Sequence, residues 1–171
     1  MTTDDARVND ERIEVVIEVP KGSRNKYEIN HDTGEVWLDR MLFTATQYPA
    51  NYGFVPLSLG DDGDPIDVLV LLEEPCVPGC HLWARPVAVC EMQDEKGGDA
   101  KIIAVPWGDP RWESVHDLGD LAPHLVAEIH HFFEVYKTLE PGKATQVSTW
   151  GDRARAQELI ALAYAAHGRH G

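Results

Sequence analysis

The stretch "RIEVVIEVP", Arg12 to Pro20, decides the kind of fold that this chain can form. Apolar side chains occupy every second position from Ile13 to Val19, and Glu14 and Glu18 fall between them. An alternation with a period of two is typical of a β-strand that buries one face. Because Pro20 cannot donate a backbone hydrogen bond to a neighbouring strand, the strand is predicted to end there.

Strand patterns continue after this stretch up to about Val105. "KYEIN" and a strand from Val36 to Arg40 are joined by a turn at residues 32–34, which predicts a β-hairpin. Ile66 to Leu72 and "AKIIAVP" are apolar strands, and "HLWARPVAVCEM" is another with Pro86 at a bulge or an edge position. This part of the chain is therefore predicted to be mainly β.

Helical patterns follow these strands. "LAPHLVAEIHHFFEVYKTLEPGK" has apolar residues at helical spacing, with Pro123 near its start and Pro141 and Gly142 at its end. "ATQVSTW" predicts a short strand, and "DRARAQELIALAYAAH" predicts a second helix capped by Asp152. Strands joined by hairpins and followed by helices favour an α+β or mainly β fold, with a small closed barrel flanked by two C-terminal α-helices.

The composition limits the number of domains and the classes of partner. The 171 residues, 43% of them apolar, suffice for one domain with its own core. The net charge is -14, because 29 Asp and Glu face 15 Lys and Arg, so the chain as a whole repels polyanions. Nucleic acid is therefore not an expected partner.

Targeting signals and cysteines indicate the compartment. "MTTDDARVNDER" lacks the basic and apolar regions of a signal peptide, and no apolar run has the length of a bilayer span. We therefore expect a cytoplasmic protein that does not bind membranes. Cys76, Cys80 and Cys90 have no C-x-x-C spacing, which predicts free thiols rather than a disulfide framework or a zinc site.

An acidic loop, "DDGDPID", runs from Asp61 to Asp67 into an apolar strand. Gly63 permits a tight turn and Pro65 stiffens the chain, so the acids of the loop can converge. Converging carboxylates repel one another unless a cation neutralises them, and their hard oxygens favour Mg²⁺ or Mn²⁺ over zinc. An EF-hand is excluded because Pro65 and Ile66 follow Asp64 and a strand follows the loop. A solvated acidic turn is the alternative at this point.

A second acidic turn, "QDEKGGDAK", gives the first one a functional context. Asp94 and Asp99 flank a pair of glycines, and Lys101 lies on the following strand. Further charged or polar residues that could join such a site are Glu18, Lys26, Glu28, Arg40, Tyr136 and Lys137. Each of them alone is more often a surface residue. Together, carboxylates that bind metals and Lys, Arg and Tyr side chains have the parts for phosphoryl transfer from a small phosphate.

"DGDPID", at Asp62 to Asp67, resembles the signature of family I soluble inorganic pyrophosphatases. Blocks that resemble this family in the same order are "VVIEVPKGSRNKYE", "LDRMLFTATQYPANYGFVP", "PGCHLWARPVAV", "DEKGGDAKIIAVP" and "HFFEVYKTLEPGK". Together with the signature they cover roughly Ile13 to Trp150. The resemblance implies Mg²⁺-dependent hydrolysis of inorganic pyrophosphate to two orthophosphates by a metal-activated water, on an OB-like five-stranded β-barrel with flanking helices.

The resemblance also implies a role for each matched residue. The principal metal is bound by Asp62, Asp67 and Asp99, and Asp67 is shared with a second metal. The metal and water network also takes in Glu18, Glu28 and Asp94. The phosphates are held by Lys26, Arg40, Tyr52, Lys101, Tyr136 and Lys137, with Glu28 beside them. Asp64 is the expected general base, and Asp99 is the alternative. Two or more Mg²⁺ ions per active site are implied, with Mn²⁺ as a substitute.

The resemblance to bacterial members further implies a homohexamer. The pyrophosphatase domain is predicted to cover residues 12–171, and residues 1–11, outside the matched blocks, are predicted to form a flexible leader. Two other classes stay open at this point. One is a non-enzymatic OB-like binding domain with a structural Ca²⁺ or Mg²⁺, and the other is a metal-dependent phosphohydrolase that acts on nucleotides or phosphate esters.

Overall fold

The computed structural model describes residues 12–170, so the predicted leader at residues 1–11 lies outside the described residues. The strands are β1 (Ile13–Val19), β2 (Asn25–Ile29), β3 (Val36–Met41), β4 (Asn51–Phe54), β5 (Asp67–Val70), β6 (His81–Asp94), β7 (Gly97–Pro106) and β8 (Thr145–Gly151). The helices are α1 (Pro123–Val135) and α2 (Arg153–His170). Short 3₁₀ turns at Pro110–Trp112 and Leu118–Asp120 connect β7 to α1.

Five strands form a closed ring in the order β1, β4, β5, β7 and β6, and β6 pairs with β1 to complete it. The β5–β7 pair is parallel, and the other pairs of the ring are antiparallel. β8 pairs with β6 outside the ring. The OB-like five-stranded barrel with two C-terminal helices that the sequence predicts is therefore confirmed.

The strand β5 is buried on both of its faces. Leu69 belongs to an apolar cluster that includes Phe132 and Phe133 of α1. Val68 and Val70 point the other way, into a second cluster that includes buried residues of α2. Burial on both sides explains why the sequence of this strand is continuously apolar and does not alternate.

The hairpin predicted from "KYEIN" and the following strand is present as a separate two-stranded ribbon, β2 and β3. Lys26 on β2 is paired with Arg40 on β3, and Glu28 is paired with Trp37. The pairing places two cations side by side at one end of the ribbon. The bulge predicted at Pro86 is also present, as a shift in the β6–β7 register between Pro86 and Ala88.

The strand β4 was not predicted, because "NYGF" is short and contains a glycine, a residue that weakens strand propensity. Gly53 is required here by the close approach of β1. A Cβ atom at this position would lie 1.9 Å from the carbonyl oxygen of Val16. The signal for this strand is therefore a contact between distant residues rather than a local pattern.

The helix α1 ends at Val135, earlier than the predicted end at Pro141 and Gly142. Two short-range bonds replace the helix: the Thr138 N–H donates to the Val135 carbonyl at 3.1 Å, and the Glu140 N–H donates to the Lys137 carbonyl at 2.9 Å. These turns carry the chain away from the helix axis.

The helix α2 begins where the sequence predicted. The Oδ1 atom of Asp152 accepts a hydrogen bond from the Arg155 N–H at 3.0 Å and so caps the helix. Within residues 12–170, no helix is long and apolar enough to cross a membrane.

Candidate active site

Lys101 lies on β7 with a side chain that is only 5% exposed, and its ammonium group contacts three oxygens. Nζ lies 2.6 Å from Oδ2 of Asp67 and 2.7 Å from Oδ2 of Asp99, and it donates to the hydroxyl of Tyr52 at 2.9 Å. Burial alone would lower the pKa of Lys101, but these neighbours raise it well above its usual value. Lys101 is therefore a buried cation whose charged form is stabilised by its neighbours.

The register of three strands builds this cluster. Asp67 of β5 is paired with Lys101 of the parallel strand β7. Asp99 precedes Lys101 by two residues, so both side chains point to the same face of β7. Tyr52 of β4 is paired with Leu69, which shares a face of β5 with Asp67. The four polar side chains thus meet on one face of the sheet.

The acidic loop before β5 closes on itself through Asp64. The N–H of Gly60 donates to the Asp64 carbonyl at 2.7 Å, and the Asp64 N–H donates to Oδ1 of Asp62 at 3.0 Å. Gly63 has a φ of +85°, in the left-handed region that favours glycine. The backbone of Asp64 therefore shapes the turn, while Asp64 as a whole is exposed to solvent.

The carboxylates of this cluster repel one another. Burial raises the pKa of Asp62, and the charges of Asp99 and Asp67 add to the rise. Burial likewise raises the pKa of Asp99, where Lys101 opposes the rise and Asp67 and Asp94 add to it. The charge of Lys101 therefore does not balance the carboxylates of the cluster.

Glu18 on β1 connects the barrel cluster with the ribbon. Burial raises its pKa to about 7, against the effect of a hydrogen bond that Oε2 accepts from the Ile29 N–H at 2.8 Å. The charge of Asp67 also raises this pKa, while Lys26 on the ribbon lowers it. Glu18 therefore interacts with both groups of charged residues.

Asp39 joins the two cations of the ribbon, and it was not predicted as a site residue. Lys26 Nζ lies 2.7 Å from Oε1 of Glu28 and 3.1 Å from Oδ2 of Asp39. The same Asp39 oxygen lies 2.5 Å from Nη1 of Arg40. Although burial opposes the effect, Lys26 and Arg40 lower the pKa of Asp39. Its place beside Arg40 in "LDR" was the available signal.

Glu140 is a second site residue that the sequence analysis missed. Its side chain is 4% exposed, and Oε1 lies 3.0 Å from Nε of Arg40 and 3.2 Å from Nζ of Lys143. The residue lies inside the block "HFFEVYKTLEPGK", but an acid in a turn is ordinarily solvated. Its burial depends on how the turn packs against β3, which no local pattern reveals.

Tyr136 and Lys137 bring the end of α1 to the cluster. Burial raises the pKa of Tyr136 to about 12, against the opposing charge of Lys101. Lys137 Nζ lies 3.8 Å from Oε1 of Glu95. Burial lowers the pKa of Lys137, while Glu95 and Asp94 oppose that effect. Asp94 thus acts on this lysine as well as on the carboxylates.

The structure brings the predicted site residues into two groups that Glu18 connects. The barrel group consists of Tyr52, Asp62, Asp67, Asp94, Asp99, Lys101, Tyr136 and Lys137. The ribbon group consists of Lys26, Glu28 and Arg40. Asp64 has the fewest contacts with these groups, because its side chain is exposed. Its N–H donates to Asp62, and its charge raises the pKa of Asp62.

The cluster fits Mg²⁺ by donor chemistry rather than as a preformed cage. Across residues 12–170, no three His, Cys, Asp or Glu side chains converge closely enough to hold a metal ion as they stand. Lys101 instead binds one oxygen each of Asp67 and Asp99. The donors are nevertheless all hard oxygens, and their mutual repulsion would be relieved by a divalent cation. These residues could therefore hold Mg²⁺ after small side-chain movements.

A cleft of about 530 Å³ borders Asp62, Asp67 and Asp99 and continues along α2. Its opposite wall includes Leu159 and Arg155, and Arg155 is paired with Glu91 of β6 at 2.7 Å. The cleft gives water and small ions access to the three carboxylates.

The chain is similar to known inorganic pyrophosphatases in sequence and in structure. A family model described as inorganic pyrophosphatase matches residues 15–167. An inorganic pyrophosphatase of Leifsonia xyli is 57% identical over 89% of this chain and 93% of its own length. One of Streptomyces coelicolor is 51% identical over 88% of this chain and 93% of its own length.

Solved structures agree with these sequence matches. The inorganic pyrophosphatase of Thermus thermophilus superposes with a TM-score of 0.91 at 45% identity, covering 94% of each chain. That of Helicobacter pylori superposes with a TM-score of 0.92 at 42% identity, covering 94% of this chain and 95% of its own.

Proposed function

This chain belongs to the inorganic pyrophosphatase family, and we propose that it hydrolyses inorganic pyrophosphate to two orthophosphates with Mg²⁺ as its cofactor. The observation that carries the proposal is the contact of Lys101 with both Asp67 and Asp99. A phosphate that carries metal ions needs carboxylates for the metal and a cation for the phosphate oxygens at one point. The Lys101 cluster combines the two.

The metal would be held by the carboxylates of the barrel group. Asp62, Asp67 and Asp99 would bind the principal Mg²⁺, and Asp67 would be shared with a second ion. Glu18 and Asp94 would complete the metal and water network. When bound, Mg²⁺ supplies positive charge to the phosphate oxygens and lowers the pKa of a bound water. Mn²⁺ takes the same oxygen ligands and is the expected substitute.

The charge balance of the site supports a metal requirement. Each cation that would hold phosphate is already paired with a carboxylate, and the pairs are Lys26–Glu28, Arg40–Asp39, Lys101–Asp67 and Lys137–Glu95. An anion as highly charged as pyrophosphate would meet repulsion in such a site unless it arrived with divalent cations.

The phosphate groups would be bound by cations and hydroxyls on both sides of the site. Lys26 and Arg40 would act from the ribbon, and Lys101 and Lys137 from the barrel. Tyr136 has a pKa of about 12 and so keeps its proton at neutral pH, as does Tyr52, whose pKa is also raised by burial. Both hydroxyls could then donate to phosphate oxygens, as the family resemblance implies. Glu28 would lie beside the phosphates.

Asp64 is the proposed general base. It would take a proton from the attacking water while the water oxygen forms a bond to phosphorus and the bond from phosphorus to the bridging oxygen breaks. Asp99 is the alternative, but its carboxylate is bound to Lys101 at 2.7 Å. That contact occupies Oδ2 of Asp99, whereas the side chain of Asp64 is exposed to solvent, which favours Asp64 as the group that reaches the attacking water.

The oligomeric state, the location and the partner of the protein are inferred from its family and its net charge. We propose a homohexamer by analogy with bacterial pyrophosphatases, and a cytoplasmic location. The net charge of -14 supports a small phosphate rather than nucleic acid as the partner.

A phosphate-release assay tests the proposed function. Purified protein would be given pyrophosphate, ATP or a simple phosphate monoester at the same Mg²⁺ concentration, with EDTA as the metal-free control. We expect rapid release from pyrophosphate only, and only with the metal. Comparable release from ATP or the monoester would favour a general phosphohydrolase, and no release from any substrate would favour a binding domain.

A further inference from the structure

Glu140 carries a buried carboxylate on the turn that follows α1. The turn is fixed by backbone bonds: the Glu140 N–H donates to the Lys137 carbonyl at 2.9 Å, and the Lys143 N–H donates to the Glu140 carbonyl at 3.2 Å. The side chain points inward, with 4% of its surface exposed, and reaches Nε of Arg40 at 3.0 Å. It therefore connects the end of α1 to β3.

This carboxylate is costly to bury. A buried charge destabilises a fold unless it is paired, and even a paired one is often no more stabilising than apolar side chains of the same size. In addition, Oε2 of Glu140 has no hydrogen-bond partner among residues 12–170. Buried polar atoms without partners are rare and recur at functional sites. Stability alone is thus a poor explanation for this acid.

The charge of Glu140 bears on the orientation of Arg40. The guanidinium group is planar, so two contacts on different nitrogens determine its plane. Asp39 binds Nη1 at 2.5 Å, and Oε1 of Glu140 forms an ion pair at 3.0 Å from Nε, which has no hydrogen-bond partner among residues 12–170. These two acids come from different parts of the chain, and together they leave Nη2 as the nitrogen that can turn to another anion.

We propose that Glu140 is a positioning residue for pyrophosphate hydrolysis, whose buried charge attracts the Nε side of the Arg40 guanidinium group so that the group presents Nη2 to a phosphate group. The assignment rests on the proposed function.

Steady-state kinetics with Mg²⁺ and pyrophosphate test this role through Glu140→Gln, which keeps the volume of the side chain and removes its charge. We expect kcat/KM to fall about tenfold, the loss of one charge-assisted contact, with most of the change in KM because Arg40 would hold the phosphate before and during the reaction. Lys143→Gln is the matched control. It removes the other partner of Glu140, which lies at 3.2 Å, and should change kcat/KM by less than about twofold.

A double-mutant cycle separates positioning from a merely structural role. If Glu140 acts through Arg40, then Glu140→Gln should have no further effect on kcat/KM in the Arg40→Gln background. The thermal midpoint of each variant checks that it is folded. If Glu140→Gln does not fold, Glu140→Asp replaces it, because the shorter acid keeps the charge but moves it away from Nε.

Each outcome decides the assignment. A loss that disappears in the Arg40→Gln background supports it. An equal loss in both backgrounds, or unchanged kinetics of a folded Glu140→Gln variant, overturns it while the proposed function stands. A wild-type protein that releases no phosphate from pyrophosphate overturns the proposed function and this assignment with it.

Discussion

Lys101 lies 2.6 Å from Asp67 across the parallel pair of β5 and β7, so a buried cation and a proposed metal ligand neutralise each other inside the barrel wall. Asp99 shares the same ammonium group at 2.7 Å. The stability of the fold and the chemistry of the site therefore depend on the same side chains, and the first prediction separates the two.

Lys101→Met should abolish phosphate release and destabilise the fold, because it leaves the partly buried Asp67 and Asp99 without a counter-charge. Removing one partner of a buried ion pair costs about 3 kcal/mol in the free energy of unfolding. Urea unfolding in EDTA measures the cost. The control is Lys96→Met on the exposed β6–β7 turn, and equal stability of the two variants would contradict the prediction.

Asp67→Asn should lower kcat by at least about a hundredfold while the protein stays folded, because it removes the shared metal ligand. Circular dichroism would establish the fold, and calorimetric titration with Mg²⁺ should show weaker binding. Asp61→Asn in the same loop is the matched control, since Asp61 is exposed and has no proposed role. Turnover close to wild type would refute the assignment of Asp67.

Asp64→Asn should lower kcat by about a hundredfold or more and leave Mg²⁺ binding nearly unchanged, because a general base acts on the reaction and not on the metal. The pH profile of kcat should lose its acidic limb. Loss of Mg²⁺ binding would instead identify Asp64 as a ligand, and Asp99 would then be the better candidate for the base.

The free energy of unfolding of the metal-free protein should fall as the pH rises from about 4.5 to 7. The pKa of Glu18 is raised to about 7 in the folded state, so over this range the unfolded chain loses the Glu18 proton while the folded protein keeps it. Glu18 contributes at most about 3 kcal/mol to this fall in the free energy of unfolding. Glu18→Gln should reduce the fall in urea titrations with EDTA, whereas Glu113→Gln at an exposed position should not.

Gly53→Ala should prevent folding or destabilise the protein by more than about 3 kcal/mol, because the added Cβ would lie 1.9 Å from the backbone oxygen of Val16. Gly119→Ala is the matched control, since a Cβ there meets no atom within 4 Å. Thermal unfolding of the two variants gives the comparison, and similar midpoints would show that β1 and β4 can move apart.

The sequence predicts the fold where the signal is local. The alternation from Ile13 to Val19, the hairpin after "KYEIN" and the cap at Asp152 each depend on a few neighbouring residues, and the structure confirms them. The family was predicted from the acidic signature and the blocks around it, and the comparisons confirm it. The strand β4 depends on its close approach to β1, and the early end of α1 depends on turns that begin before Pro141 and Gly142, so both were missed.

The site residues also divide into those with a local signal in the sequence and those that depend on contacts between distant segments. Residue types in "DGDPID" indicate acids that could bind metal, but they do not reveal that Lys101 is held between two of them, because that contact depends on the parallel register of β5 and β7. Asp39 and Glu140 were missed since their charges look like ordinary surface charges until the ribbon and the turn after α1 are packed. The individual catalytic roles stay predictions.

The closed ring has a consequence for the order of events during folding. β1 pairs with β6 and β5 pairs with β7, so closure joins segments that are far apart in the chain, and such non-local topologies fold slowly. The residues of the proposed site range from Glu18 to Glu140, and they come together only after the ring has closed and the ribbon and the turn after α1 have packed against it. Recovery of phosphate release after dilution from denaturant would then lag behind the recovery of secondary structure, which makes turnover a sensitive reporter of complete folding.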